Sequence, residues 1–207
     1  FILTQYIAFY MTKAPFNELR VRQAFARAID RDFITDRIMR SGQIPAYALV
    51  PPGILNYPGT ASVIGKGMDA DARRAKARAL LAEAGFDESN RLRTTFIIQS
   101  NLDNRRIAVA LQDMWRKVGI DVEIQTTESK VHYNNLQTQN YDVGWAGWIA
   151  DYNDARNYLF LAETRAGQMN YTKYSSAAYD QAIQDADNTL DLDLRGQKMV
   201  AAEQLML

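Results

Sequence analysis

The sequence predicts an α/β domain in which a mixed or largely parallel sheet is flanked by helices. Three observations carry this. Helix-period and strand-period apolar patterns alternate along the chain. Helix-to-strand connections are as short as Val118-Gly119-Ile120. The 207 residues are 47% apolar and 11% aromatic, enough to bury a core of ordinary domain size.

The elements follow in order. Residues 1–11 are rich in aromatic and β-branched types and predict a strand, with Pro15 marking its exit. Asn17 is placed as the N-cap of a helix whose stripe is Val21, Phe25, Ile29 and Phe33, stopped near Gly42. A Pro- and Gly-rich loop over residues 45–67 follows, long enough to be either functional or packed on a neighbour. A helix begins at Asp71, with Ala75, Ala79, Leu80 and Ala84 on one side and Gly85 as its left-handed C-cap. Residues 94–99 form a short strand. Ile107, Ala110, Leu111, Met114 and Val118 then make a helix face closed by Gly119. Ile120, Val122 and Ile124 alternate with polar residues as a half-buried strand. A helix at 128–139, a strand at 141–148 and helices at about 153–162, 175–188 and 191 onward complete the pattern.

Composition excludes several kinds of chemistry. Lys plus Arg and Asp plus Glu are 24 each, so no basic excess exists to neutralise phosphates, and no nucleic-acid partner is expected. Cysteine is absent, which removes disulfides, thiolate metal sites and cysteine nucleophiles. The single histidine, His132, argues against a His-based metal cluster or triad, and neither a metal nor a cofactor is expected. His132 itself is placed at the surface or boundary of a helix. Arg73, Arg74, Lys76 and Arg78 are flanked by acids and read as a solvated face, and Arg105 and Arg106 read as a solvated helix start, with a ligand carboxylate as the alternative partner. No apolar stretch approaches the ~18–20 residues that cross a bilayer. The chain starts without an initiator Met or a leader, and residues 199–207 still read as helix, so it is expected to be a piece of a longer protein.

The most unusual stretch is residues 141–154, where Trp145, Trp148, Asp151 and Asp154 cluster at a strand end. Trp145 and Trp148 differ in parity, so one packs in the core while the other is presented at the end of the strand. Asp151 falls in the exit loop beside an aromatic surface. A carboxylate next to an indole suits a primary ammonium, through a charge-assisted hydrogen bond and the ring's attraction for a cation. The competing reading is that both tryptophans are core and that Asp151 and Asp154 cap a helix starting near Asn153.

Four stretches together resemble the bacterial extracellular solute-binding proteins of the oligopeptide/dipeptide-binding family. They are Ala14-Pro15-Phe16-Asn17-Glu18-Leu19-Arg20-Val21-Arg22-Gln23-Ala24 with Ala28-Ile29-Asp30-Arg31, then Pro45-Ala46 through Pro51-Pro52-Gly53, then Leu80-Leu81-Ala82-Glu83-Ala84-Gly85-Phe86, and Gly147-Trp148-Ile149-Ala150-Asp151-Tyr152-Asn153-Asp154. They occur in the family's order and cover nearly the whole chain. The sequence departs from the family at Ala155, where Pro is usual, and at Trp145, where a basic residue stands in close relatives; the latter bears on peptide preference.

The resemblance implies one lobe of a two-lobed periplasmic-binding-protein fold. Residues 1–207 would be the C-terminal lobe, with residues 1–13 as a crossing strand and the first lobe absent. It implies a monomeric, periplasmic capture component of an ABC importer that closes over extended peptides and hands them to membrane permease subunits. Asp151 would pair with the peptide's α-ammonium beside Trp148. Trp145, Asn101, Asn170 and Tyr171 are the further candidate ligand-binding residues. No enzymatic activity is expected. The alternatives are another solute, such as an opine, a glycoside or a metal chelate, or a peptide or ester hydrolase using Asp151 and Asp154 as an acid/base pair. Against the hydrolase stand the lone histidine and the absence of any Gly-x-Ser-x-Gly elbow or metal-ligand spacing.

Overall fold

A computed structural model describes residues 2–207. In chain order the elements are β1 (Leu3–Phe9), α1 (Leu19–Ala28), α2 (Arg31–Phe33), α3 (Ala70–Glu83), β2 (Leu92–Gln99), α4 (Leu102–Arg116), β3 (Ile120–Thr127) and α5 (Ser129–Gln137). β4 (Val143–Ile149), α6 (Arg156–Leu159), α7 (Ala177–Asp187) and α8 (Leu192–Met206) follow, with a π turn at Ile34–Met39 and 3-10 turns at Phe160–Ala162 and Thr164–Met169. The four strands form one sheet in the order β1-β4-β2-β3. β2 is parallel to β3 from Leu92 opposite Ile120 to Gln99 opposite Thr127, and parallel to β4 at Phe96 opposite Val143. Between β1 and β4, Tyr10 N donates to Asp142 O and Ala150 N donates to Ile2 O, so this pair is antiparallel. The sheet is mixed and flanked by helices, as the alternation predicts.

The chain gathers into two compact units. One, the sheet unit, comprises Ile7–Pro45 and Ile64–Trp145. Its core centres on Trp115, which is 0% exposed. The Trp115 indole N–H donates to Phe25 O at 3.2 Å, while Phe25 and Phe96 meet the ring edge-on at 5.1 and 5.3 Å. Ile107, Leu111 and Met114 on α4 and Ile120 and Val122 on β3 are buried here, on the face the sequence assigns them. Gly85 and Gly119, with φ of +87° and +100°, end their helices in the conformation expected of them.

Several local expectations are corrected in this unit. Asn17 is not the cap: α1 begins after Glu18, which makes no side-chain cap bond. The stripe through Phe33 does not hold either. Ile29 is extended, and Asp30 accepts from Phe33 N at 3.0 Å to start α2, a local side-chain bond that competes with continuing the helix. Ile29 stays in the core, while Phe33 is 45% exposed. On α3 the buried residues are Ala77, Leu80 and Leu81, whereas Ala75 and Ala79 are exposed. At 3.6 residues per turn, Ala75 and Ala79 lie opposite the face that Leu80 and Leu81 set. His132, expected near the surface, is 1% exposed, with its Nε2 2.7 Å from Trp145 O. Burial holds its pKa below the ordinary value, opposed by that hydrogen bond.

The other unit, here the helical unit, comprises residues 2–6, Ala46–Val63 and Ala146–Leu207. Tyr158, Leu159, Tyr179, Ile183 and Met199 form its apolar centre. The long loop packs on α8. Glu203, itself 0% exposed, accepts from Leu49 N at 2.7 Å, Val50 N at 2.8 Å and the Tyr57 hydroxyl. Gly196 makes the close approach possible, since a Cβ there would stand 2.1 Å from Asn56 O. Among the described residues no helix is long and apolar enough to cross a membrane.

Candidate functional site

The site begins where β4 ends. Trp145 lies in the buried core of the sheet unit, and Trp148, half-buried, belongs to the helical unit. The opposite parity of the two tryptophans is realised as one core residue and one at the end of the strand. The Trp148 ring meets Phe160 edge-on at 5.2 Å, and its Nε1–H donates to Asn157 Oδ1 at 2.9 Å. The same oxygen accepts from Asp151 N at 3.1 Å.

The two aspartates of this turn have different tasks. Asp154 accepts from Arg156 N at 2.8 Å, closing a turn just before α6, whose N-cap is Ala155, and is gripped by Arg195 at 2.7 and 3.1 Å. Burial alone would raise its carboxyl, but the Arg195 bonds and the Arg156 amide outweigh that and hold it below the usual carboxylate range. Asp151 caps nothing. Its side chain is exposed, and its carboxylate takes no hydrogen bond or ion pair among the described residues. The helix-cap reading holds for neither aspartate: the N-cap of α6 is Ala155, Asp154 is engaged by the Arg156 amide and by Arg195, and the carboxylate of Asp151 is left available.

Around the turn, polar side chains lock the helical unit. Asn153 Oδ1 accepts from Leu55 N at 3.0 Å. Arg156 pairs with the buried Glu163 at 2.5 Å and with Asp187 at 3.1 Å. The Tyr158 hydroxyl donates to Ile2 O at 2.7 Å.

The remaining candidates are placed differently. Asn170 is buried: its amide donates to Glu163 O and Tyr174 O, and its oxygen accepts from Tyr174 N and the Thr172 hydroxyl. It organises its own loop and has no capacity to spare for a ligand. Tyr171 is buried beside it. Asn101 lies in the sheet unit and caps α4, accepting from Asn104 N at 2.8 Å. The structure thus joins Trp148 and Asp151 in one turn and gives Asn170 and Asn101 structural work. Asn157 and Arg195 carry no signal in the sequence. An Asn six residues beyond Asp151 carries no periodic signal, and Arg195 is 41 residues from its partner. No group of three or more His, Cys, Asp and Glu side chains suited to a metal ion occurs among the described residues.

Comparison with known proteins agrees with this frame. Residues 2–170 match the family model described as bacterial extracellular solute-binding proteins, family 5 Middle. The chain is 30% identical over 206 residues to the periplasmic murein peptide-binding protein MppA of Escherichia coli, covering 99% of this chain and 38% of MppA. It is 31% identical over 208 residues to the periplasmic oligopeptide-binding protein OppA of Salmonella typhimurium, covering 99% of this chain and 37% of OppA. The structure of Haemophilus influenzae OppA in complex with the peptide RPPGFSPFR superposes with a TM-score of 0.94 at 28% identity, over 99% of this chain and 40% of that one. The chain spans less than two-fifths of the length of these two curated relatives.

Proposed function

This chain belongs to family 5 of the bacterial extracellular solute-binding proteins, and from that membership we propose that it forms one lobe of a periplasmic peptide-capture component of an ABC importer. In this reading residues 1–207 are the C-terminal lobe, residues 1–13 are its crossing strand, and the complete protein adds a second lobe. The complete protein works as a monomer, closes over an extended peptide and delivers it to membrane permease subunits. Its work is binding and release, with no bond made or broken in the ligand.

The observation that carries the reading is the unpaired Asp151 carboxylate, three residues from an aspartate that is fully engaged. A carboxylate free of protein partners beside a half-buried indole suits a primary ammonium, which a peptide offers at its N-terminus. Closure of a second lobe would exclude water and strengthen that pairing. The same geometry weighs against the hydrolase reading, because Asp154 is held ionised in an ion pair and is not poised to exchange a proton with Asp151.

Mass spectrometry of the small molecules released on denaturing the complete protein, purified without added ligand, tests the proposal. Peptides with free N-termini are the expected result. Release of a non-peptide solute, together with failure to bind a peptide library in calorimetry, would overturn it.

A further inference from the structure

We infer that Asn157 is the positioning residue that makes the Asp151 turn selective for an ammonium over a neutral or anionic group. The inference rests on the reading of Asp151 given above and adds to it where the selectivity comes from.

Asn157 is 3% exposed. Its single Oδ1 accepts two N–H groups, from the Trp148 indole at 2.9 Å and from the Asp151 backbone at 3.1 Å. The backbone of Asn157 is fixed in turn, because its N–H donates to Asp154 O at 3.0 Å and Asp154 is clamped by Arg195. The indole and the start of the Asp151 turn therefore hang from one atom on a rigid support.

Two consequences follow. The first is geometric. The indole and the backbone that carries the Asp151 carboxylate keep a fixed relation, so a ligand meets both without ordering either. The second is chemical. The Trp148 N–H and the Asp151 N–H are two donors of this turn, and the Asn157 oxygen accepts both. With those two donors engaged, the carboxylate, which only accepts, and the aromatic ring, which favours positive charge, bias the turn toward a cation. A cationic donor finds partners there. A carbonyl or a carboxylate finds neither of those two N–H groups free, and beside the Asp151 carboxylate it meets another acceptor or a like charge. Removing the Asn157 oxygen reverses this by freeing those two donors.

The test uses the complete protein and a tri- to pentapeptide library mixed in equal amounts with its N-acetylated counterpart, with the retained fractions quantified by mass spectrometry. The wild type is expected to enrich free-amine peptides about ten-fold or more, and Asp151→Asn to abolish that enrichment. Asn157→Ala is expected to lower the enrichment by about five-fold or more, with retention of acetylated peptides held or increased. Should Asn157→Ala fail to fold, Asn157→Ser takes its place with the same expected direction, since the shorter hydroxyl cannot span both N–H groups. A purely structural role would weaken both peptide forms together and leave their ratio unchanged; that result overturns the inference. If the wild type shows no enrichment, the Asp151 reading fails and this one with it. If the wild type enriches, Asp151→Asn does not, and the Asn157 variant matches the wild type, only the role of Asn157 fails.

Discussion

In the sheet unit most of the deeply buried side chains are apolar and find one another: Trp115 meets Phe25 and Phe96 in one cluster with Leu92, Ile98 and Leu111. In the helical unit an apolar centre is laced with buried polar groups that tie distant segments together. Glu203 holds the loop Ala46–Val63 through two backbone amides and Tyr57. Arg156 joins Glu163 and Asp187, Arg195 clamps Asp154, and Asn157 fixes Trp148 and Asp151. The first pattern is tolerant, because apolar contacts are non-directional. The second is directional, and each member has a specified place. A turn that must present an unpaired carboxylate at a defined position is built in the second kind of unit.

The comparison breaks most visibly at the centre of the sheet unit. Trp115→Ala should cost about 3–5 kcal/mol, as large-to-small changes of buried aromatics do. Denaturant unfolding followed by hydrogen exchange at β2 and β3 measures it, and exchange in α7 and α8 should change far less. The counterpart in the helical unit is Glu203→Ala, which leaves the amides of Leu49 and Val50 and the Tyr57 hydroxyl without their acceptor. Relief of the buried charge offsets part of the loss, so the expected cost is smaller, about 2–3 kcal/mol. It should appear as faster exchange at Leu49 and Val50, with Glu203→Gln retaining an acceptor and losing less.

A smaller effect sharpens the contrast, because the two units should answer pH in opposite senses. Burial raises the Glu203 carboxyl above its ordinary value near 4.5, against the opposing pull of its hydrogen bonds. Its contribution is therefore fully present below pH 4.5 and is lost as pH rises through the raised value, so mild acidification stabilises the helical unit. Burial depresses His132 below its ordinary 6.5. Its contribution is present above pH 6.5 and is lost as pH falls through the depressed value, so the same acidification destabilises the sheet unit. Unit-resolved hydrogen exchange between pH 7 and pH 5 (set by those two directions) checks both signs. Glu203→Gln and His132→Gln should each flatten the response of their own unit.

How much was legible in the sequence follows the same division. Neighbouring apolar residues report the sheet unit well. The α4 face and the alternation of β3 came through, because local periodicity and tertiary burial agree there. The stripe through Phe33 misled because Asp30 intervenes with a cap, and α3 misled because alanines on both faces blur the phase. His132 is hidden because a lone polar ring between Val131 and Tyr133 gives no sign of the Trp145 carbonyl it meets. For the helical unit the parity of Trp145 and Trp148 is readable from the sequence, while the choice of Asp151 and Trp148 as ligand residues rests on the family resemblance. Their support is not readable, since Glu203 is 153 and 154 residues from the amides it binds and Arg195 is 41 from Asp154. Directional contacts between distant segments leave no periodic trace.

The proposed pairing of Asp151, beside Trp148, with an ammonium is tested by a double cycle in calorimetry. Asp151→Asn keeps the shape of the side chain and removes its charge. A charge-assisted hydrogen bond contributes about 1.5–3 kcal/mol, so the variant of the complete protein should bind a free-amine peptide about ten- to a hundred-fold more weakly. N-acetylating the peptide should cause a similar loss in the wild type and little further loss in the variant, because both changes remove the same interaction. Equal binding of free and acetylated peptides by the wild type would rule out that pairing.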